Sequence, residues 1–158
     1  MRRWKPFKAV STADDGSVWV IDKDNGIHKA RDFNSPWEIV NARGVDVAAV
    51  NYDEAWIAGE NGDLYSLYKD QTFKMSSYVG LTRVARCHNG DIFAVGNHGK
   101  LYYKRSFGLE SLPGVEAFDI ACKSNRVYHI GRSETLHVMD RDRLDWTRVQ
   151  GVRAVRIG

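Results

Sequence analysis

The chain is expected to be all-β, a small β-propeller of about four blades with four antiparallel strands each. Three columns of residues that repeat at one period predict this. SVWVID (Ser17 to Asp22) returns as EAWIAG, DIFAVG and RVYHIG, which sets an aromatic at Trp19, Trp56, Phe93 and Tyr128, with spacings of 37, 37 and 35. The aliphatics Ile27, Leu64, Leu101 and Leu136 keep those same spacings of 37, 37 and 35. A third column, Trp37, Phe73, Leu109 and Trp146, is spaced by 36, 36 and 37. Self-similarity at a fixed period of this size marks a repeat architecture, in which one unit cannot bury its own apolar faces and must stack on its neighbours.

Each unit reads as four short strands. The first carries apolar residues at its first, fourth and sixth positions: Phe7, Val10 and Thr12; Val45, Ala48 and Val50; Leu81, Val84 and Arg86; Val115, Phe118 and Ile120; and once more Val152, Val155 and Ile157. The second strand bears the aromatic column, which is expected to fill the core. The third bears the Leu column with Tyr65, Tyr102 and His137 beside it, and the fourth begins near Trp37 or Trp146. Short alternating segments rich in β-branched and aromatic residues are strand signals. Asn25-Gly26, Asn61-Gly62 and Asn89-Gly90 suit tight turns, because Asn and Gly tolerate positive φ. No stretch holds a helical apolar period over ten residues.

These columns divide one domain, 1–158, into repeats at about 7–44, 45–80, 81–114 and 115–151, with a spare copy of the first strand at 152–158. Both 7–13 and 152–158 offer an innermost strand, so an exposed edge is expected to find a partner, and a homo-oligomer through the terminal strands follows.

The residues also resemble a family. WTRVQGVRAVRIG looks like the start of a tectonin repeat, AGENGDLY and VGNHGKLY look like its central hairpin, and PWEIVNARGVDVAAV keeps the same order. The resemblance spreads over nearly the whole chain and extends to WD-repeat-like propellers. It implies a binding protein of the kind associated with carbohydrate or lipopolysaccharide recognition. One departure is plain: the Gly expected after the first strand is Asn51, Cys87 or Ala121 here, and only Gly158 keeps it.

Composition narrows the function further. With 158 residues, 43% hydrophobic and 27% charged, the chain can bury a core and is not a disordered tail. No apolar run approaches the length of a membrane span, and MRRWKPFKAV has no apolar stretch behind its charges, so a soluble, cytoplasmic protein is expected. The net charge of +3 divides into −2 over residues 1–79 and +5 over 80–158. Neither set of predicted loops is basic, which argues against nucleic acid as a partner. Cys87 and Cys122, 35 residues apart at the ends of two first strands, are expected to be small buried thiols in a reducing compartment, with a Cys and His metal site as the lesser alternative.

No catalytic signature emerges: no phosphate loop, no nucleophile elbow, no paired histidine spacing for zinc, and DKDNG lacks the continuation of a calcium loop. No enzyme activity, cofactor or metal is therefore expected. The favoured function is a lectin-like binding module that contacts carbohydrate through loops and the outer aromatics Trp37, Tyr65, Tyr102 and Trp146. The alternative is a rigid protein-protein interaction domain, an accessory or inhibitory factor that docks a macromolecular partner through one loop face. Replacement of tyrosines by His28 and His137 across the repeats favours this alternative, because equivalent sugar sites would need equivalent residues.

Overall fold

The computed structural model describes residues 6–75, 80–104, 108–140, 142–154 and 157. The chain divides at Gly80 and Leu81 into two compact units. The first holds β1 (Phe7–Thr12), β2 (Val18–Asp22), β3 (Gly26–Ala30), β4 (Glu38–Asn51), β5 (Glu54–Gly59), β6 (Leu64–Tyr68) and β7 (Gln71–Lys74). The second holds β8 (Arg83–Arg86), β9 (Ile92–Val95), β10 (Lys100–Lys104), β11 (Glu110–Glu116), β12 (Asp119–Lys123), β13 (Arg126–Ile130), β14 (Thr135–Asp140) and β15 (Trp146–Arg153). Between strands, the described residues add only two single-turn 3-10 segments, Asn97–Gly99 and Arg132–Glu134.

In the first unit the strands run as an antiparallel meander in the order β1-β2-β3-β4-β5-β6-β7. The long strand β4 serves two groups of four. Its first part pairs with β3, through Ile39↔His28 and Val40↔Ile27, and its second part pairs with β5, through Val47↔Ile57 and Ala49↔Ala55. Gly44 stands at the change of partner. A Cβ there would lie 2.5 Å from Cγ2 of Ile57 and 2.9 Å from the carbonyl oxygen of Ala58. Gly44→Ala is therefore expected to force β4 away from β5 and to cost about 1–3 kcal/mol, read as a lower urea midpoint. An unchanged midpoint would show that this approach is loose.

The core of the first unit joins both halves of this sheet: Trp19 and Ile21 from β2, Ile27 from β3, Val40 and Val47 from β4, Ala55 and Ile57 from β5, and Leu67 from β6. The second unit has two four-stranded sheets, ordered β11-β10-β9-β8 and β12-β13-β14-β15. Their shared core runs from Phe93, Val95 and Leu101 to Ile120, Val127 and Met139. β9 is buried at every residue, and β2 nearly so, which accounts for their almost unbroken apolar sequences.

Turn chemistry follows the residues that suggested it. Asn25 has φ 70° and Gly62 φ 85°, while Gly90 reaches φ 98° with the Asn89 side chain accepting the Asp91 N–H at 3.0 Å. The first-strand pattern, in contrast, holds only in part. A register shift between Phe7 and Ala9 turns β1 over, so Ala9 is buried while Val10 is 60% and Phe7 43% exposed. Phe118 is likewise 51% exposed, because β12 begins one residue beyond it. The aromatic column splits as well: Trp19 and Phe93 are fully buried, but Trp56 and Tyr128 are half-buried.

The two cysteines are not free thiols. Cys87 and Cys122 form a disulfide that ties the residue after β8 to β12, in two different sheets of the second unit. With both sulfurs bonded to each other, a metal site built on them is excluded, and the expectation of a reducing compartment loses its chemical support. The spare strand at 152–158 is described only in part. Val152 and Arg153 complete β15, whereas residues 155, 156 and 158 of the spare copy expected to form an oligomer with 7–13 lie outside the described residues.

Candidate functional site

The four aromatics singled out from the sequence divide between the two units. Trp37 precedes β4 and is half-buried, its ring 6.1 Å from Phe7, which in turn meets His28 edge-on at 5.8 Å. Tyr102 lies on β10, half-buried, opposite Ala94 and Ser111. Trp146 opens β15 and packs against the second unit's core, where its ring stands 4.0 Å from that of His129. Trp146 is thus half-buried against that core. Two of the four fall in each unit, one on each group of four strands.

Tyr65 is the member that reaches a concave surface. It lines a groove of about 560 Å³ in the first unit with Asn41, Ala42, Arg43, Ile57, Glu60, Asn61 and Thr72. The groove forms where β4 passes from one group of four strands to the next: Asn41, Ala42 and Arg43 lie just before Gly44, and β5, β6 and β7 supply the other wall. Its apolar part is Ala42, Ile57 and the Tyr65 ring. That ring can lie flat because Gly59 offers no Cβ; one there would come within 2.5 Å of the Tyr65 Cε2 atom.

The polar part is held by its own network. The Asn61 amide donates to the Tyr65 hydroxyl at 3.0 Å and to Oδ2 of Asp63 at 3.1 Å, and Lys74 sits 3.0 Å from that same oxygen. Asp63 is buried, and its other oxygen, Oδ1, has no hydrogen-bond partner. The hydrogen bond from Lys74 to Asp63 raises the lysine's pKa, with their opposite charges adding to it. On the opposite wall Glu60 accepts from Arg43 at 3.0 Å and from Asn25 at 3.1 Å, and the Asn25 contact followed by the Arg43 contact lowers its pKa. Every charge in the groove therefore faces an opposite one. Such a surface offers hydrogen bonds without a net charge, which suits an uncharged polar ligand such as peptide backbone or a sugar better than an ion.

Two other polar groups in the first unit are structural. Asp22 is buried and would be raised by desolvation, but hydrogen bonds from His28, Gly26 and Asp24 together hold it down to about 2. Lys29, only 2% exposed, donates to the Tyr52 carbonyl at 3.1 Å, lies 3.5 Å from Asp70, and stands over the Tyr52 ring at 4.3 Å. Burial, then the hydrogen bond to Glu38, pushes the Tyr52 phenol up to about 12. Among the described residues, no three His, Cys, Asp or Glu side chains gather as metal ligands.

The groove's polar members were not foreseen, although Glu60 and Asn61 stand in the AGENG turn and Arg43 in NARG, both of which the repeat had marked as loops. The signal lay in Gly59: a glycine that ends a largely buried strand, followed six residues later by a tyrosine.

An all-β, propeller-like protein with a groove between strand groups is the class defined here, and solved structures agree with it. YCF48 bound to D1 peptide matches 89% of this chain with a TM-score of 0.65 and 14% identity. YCF48 from Cyanidioschyzon merolae matches 90% at 0.61 and 13%, and yeast RCC1 (Prp20), solved bound to Kap60, matches 87% at 0.62 and 9%. The chain spans about half the length of these proteins, 52%, 58% and 44% respectively. No family model and no curated protein matches it, so the likeness to tectonin repeats stands on the quoted motifs alone. Among the described residues no helix is long and apolar enough to cross a membrane.

Proposed function

We propose that this chain is a non-enzymatic, protein-binding propeller module, that its four groups of four strands are blades, and that the Tyr65 groove receives an extended segment of a partner protein. The observation that carries this reading is the groove itself: an apolar floor of Ile57 and Tyr65, a rim of Asn41, Asn61 and Thr72, and charges already paired. A peptide backbone matches that set, since its N–H and C=O groups need donors and acceptors and carry no charge. Two of the similar structures, YCF48 with D1 peptide and RCC1 with Kap60, were solved with a peptide or protein bound, which supports a peptide over a sugar. Neither of these two likenesses supports the lectin-like reading.

Selection of a displayed random peptide library on the protein, beside a glycan array, tests the proposal. Thr72 is exposed on β7, so Thr72→Arg fills the groove without touching the core. Selected peptides are expected to bind the Thr72→Arg variant at least tenfold more weakly, about 1.4 kcal/mol. Peptide binding untouched by this change would move the site elsewhere. An empty selection with saturable glycan binding lost in Thr72→Arg would replace the peptide by carbohydrate.

A further inference from the structure

Three rings on three successive strands meet inside the second unit. His129 on β13 is 3% exposed and stacks on His137 of β14, with ring centroids 4.6 Å apart and planes within 5°. Trp146 of β15 meets the His129 ring edge to face, with centroids 4.0 Å apart and planes at 83°. Nδ1 of His129 and Nε1 of Trp146 are both buried without a hydrogen-bond partner. The Nε2 atom of His137 lies 2.9 Å from the Thr135 hydroxyl.

The strand register puts Ile120, His129, His137 and Arg148 in one row across β12, β13, β14 and β15. No carboxylate stands in that row. On β12 the neighbours are Ile120 and the disulfide-bonded Cys122; on β14 they are His137 and Thr135; on β15 they are Arg148 and Trp146. Three acids of this unit are already engaged: Glu116 holds Arg132 at 3.0 Å, Glu134 holds Arg153 at 3.0 Å, and Asp140, three residues after His137, accepts the Asp142 N–H at 2.8 Å. Along this row a proton arriving on either imidazole thus meets a second imidazole and an arginine, and no carboxylate.

We propose that the stacked His129–His137 pair beneath Trp146 is an acid-operated latch that releases the Trp146 end of β15 as the pH falls. β15 is the element free to move: it lies at the end of its sheet order and pairs with β14, with a register shift between Thr135 and His137. Its departure carries away Arg148, removes the ring that covers His129, and lets water reach both imidazoles. β12 stays, because the Cys87–Cys122 disulfide fastens it to the neighbouring sheet, and the Glu134–Arg153 pair holds the far end of β15. The opening exposes Trp146 and Met139 and the free edge of β14, a surface a partner strand can pair with.

The titration behaviour fits this geometry. Burial first, then the charge of His137, pushes His129 down to about 4, and burial followed by Arg148 lowers His137 as well. Once exposed, an imidazole returns to its ordinary range near 6.5, so the open form takes up protons that the closed form refuses. Closure is complete above about pH 6.5 and weakens as the pH falls toward 4.

Hydrogen exchange of the full chain at pH 7.5 and 5.0, corrected for intrinsic rates, tests the latch. Amides of 146–149 are expected to lose at least tenfold in protection at pH 5.0, while those of β12 keep theirs. His129→Phe fills the same space without a titratable ring and should hold β15 closed at pH 5.0; if that variant does not fold, Arg148→Gln takes its place, with a smaller loss than wild type expected. Unchanged protection of 146–149 in the wild type overturns the proposal. So does a loss shared by β12, or one of equal size in the variant.

Discussion

Removing the Cys87–Cys122 disulfide is expected to destabilise the second unit by about 3–4 kcal/mol. The bond closes a loop across 35 residues, and the chain entropy released to the unfolded state by opening a loop of that length is about this large. Little packing is lost on reduction, since Cys87 is fully buried among Ala85, Phe93 and Ile120 and a thiol fits the same space. The first unit contains neither cysteine and serves as an internal control. Urea unfolding with and without reductant, and of the Cys87→Ala/Cys122→Ala variant, should move the transition of residues 81–158 and leave that of residues 1–80 in place. An unmoved transition on reduction would mean that packing alone holds the two sheets. Thiol trapping in intact cells shows whether the bond persists there, and with it whether the compartment is oxidising.

The Cys87–Cys122 bond was only half legible, since the sequence pointed to buried thiols. Both cysteines end first strands in adjacent repeats, so proximity followed from the repeat, while bond formation depended on the side chains facing each other, which a repeat alignment does not resolve. The strand order was legible for a simpler reason: a period repeated in three columns leaves one meander as the solution. The column of Tyr65, Tyr102, His28 and His137 shows what degeneracy hides. Tyr65 folds over Gly59, and the His137 ring likewise lies over Gly131, where a Cβ would sit 3.2 Å from Nε2. In the first repeat Asp22 replaces the glycine, and His28 compensates by bonding to it at 2.9 Å. A side-chain contact has been exchanged for a hydrogen bond at one position of the repeat, so residues that look like failed copies of a ligand site are alternative solutions to one packing problem. The candidate site escaped the sequence reading because its walls come from residues 41–43 and 57–72, and their meeting depends on how sharply β4 changes partners at Gly44.

Trp19→Ala is expected to lower the stability of the first unit by about 3–5 kcal/mol, whereas Trp56→Ala, in the same column, should cost clearly less. Trp19 is fully buried, and its indole N–H donates to the Asn51 carbonyl at 3.0 Å, so one side chain on β2 fastens the far end of β4. Its ring also covers the Lys29 ammonium at 5.2 Å. Truncation therefore opens a cavity, leaves a carbonyl without its donor, and strips one wall from a buried cation. Trp19→Phe separates these effects: it keeps most of the apolar contact but loses the N–H, and about 1–2 kcal/mol is expected for the unpaired carbonyl and the smaller ring. Trp56 is half-buried, so its removal takes less apolar area from the core. Equal losses at the two positions would show that the aromatic column acts through ring size alone. A loss of that size in Trp19→Phe would show that the indole N–H helps make Trp19 the point at which β2 and β4 are held together.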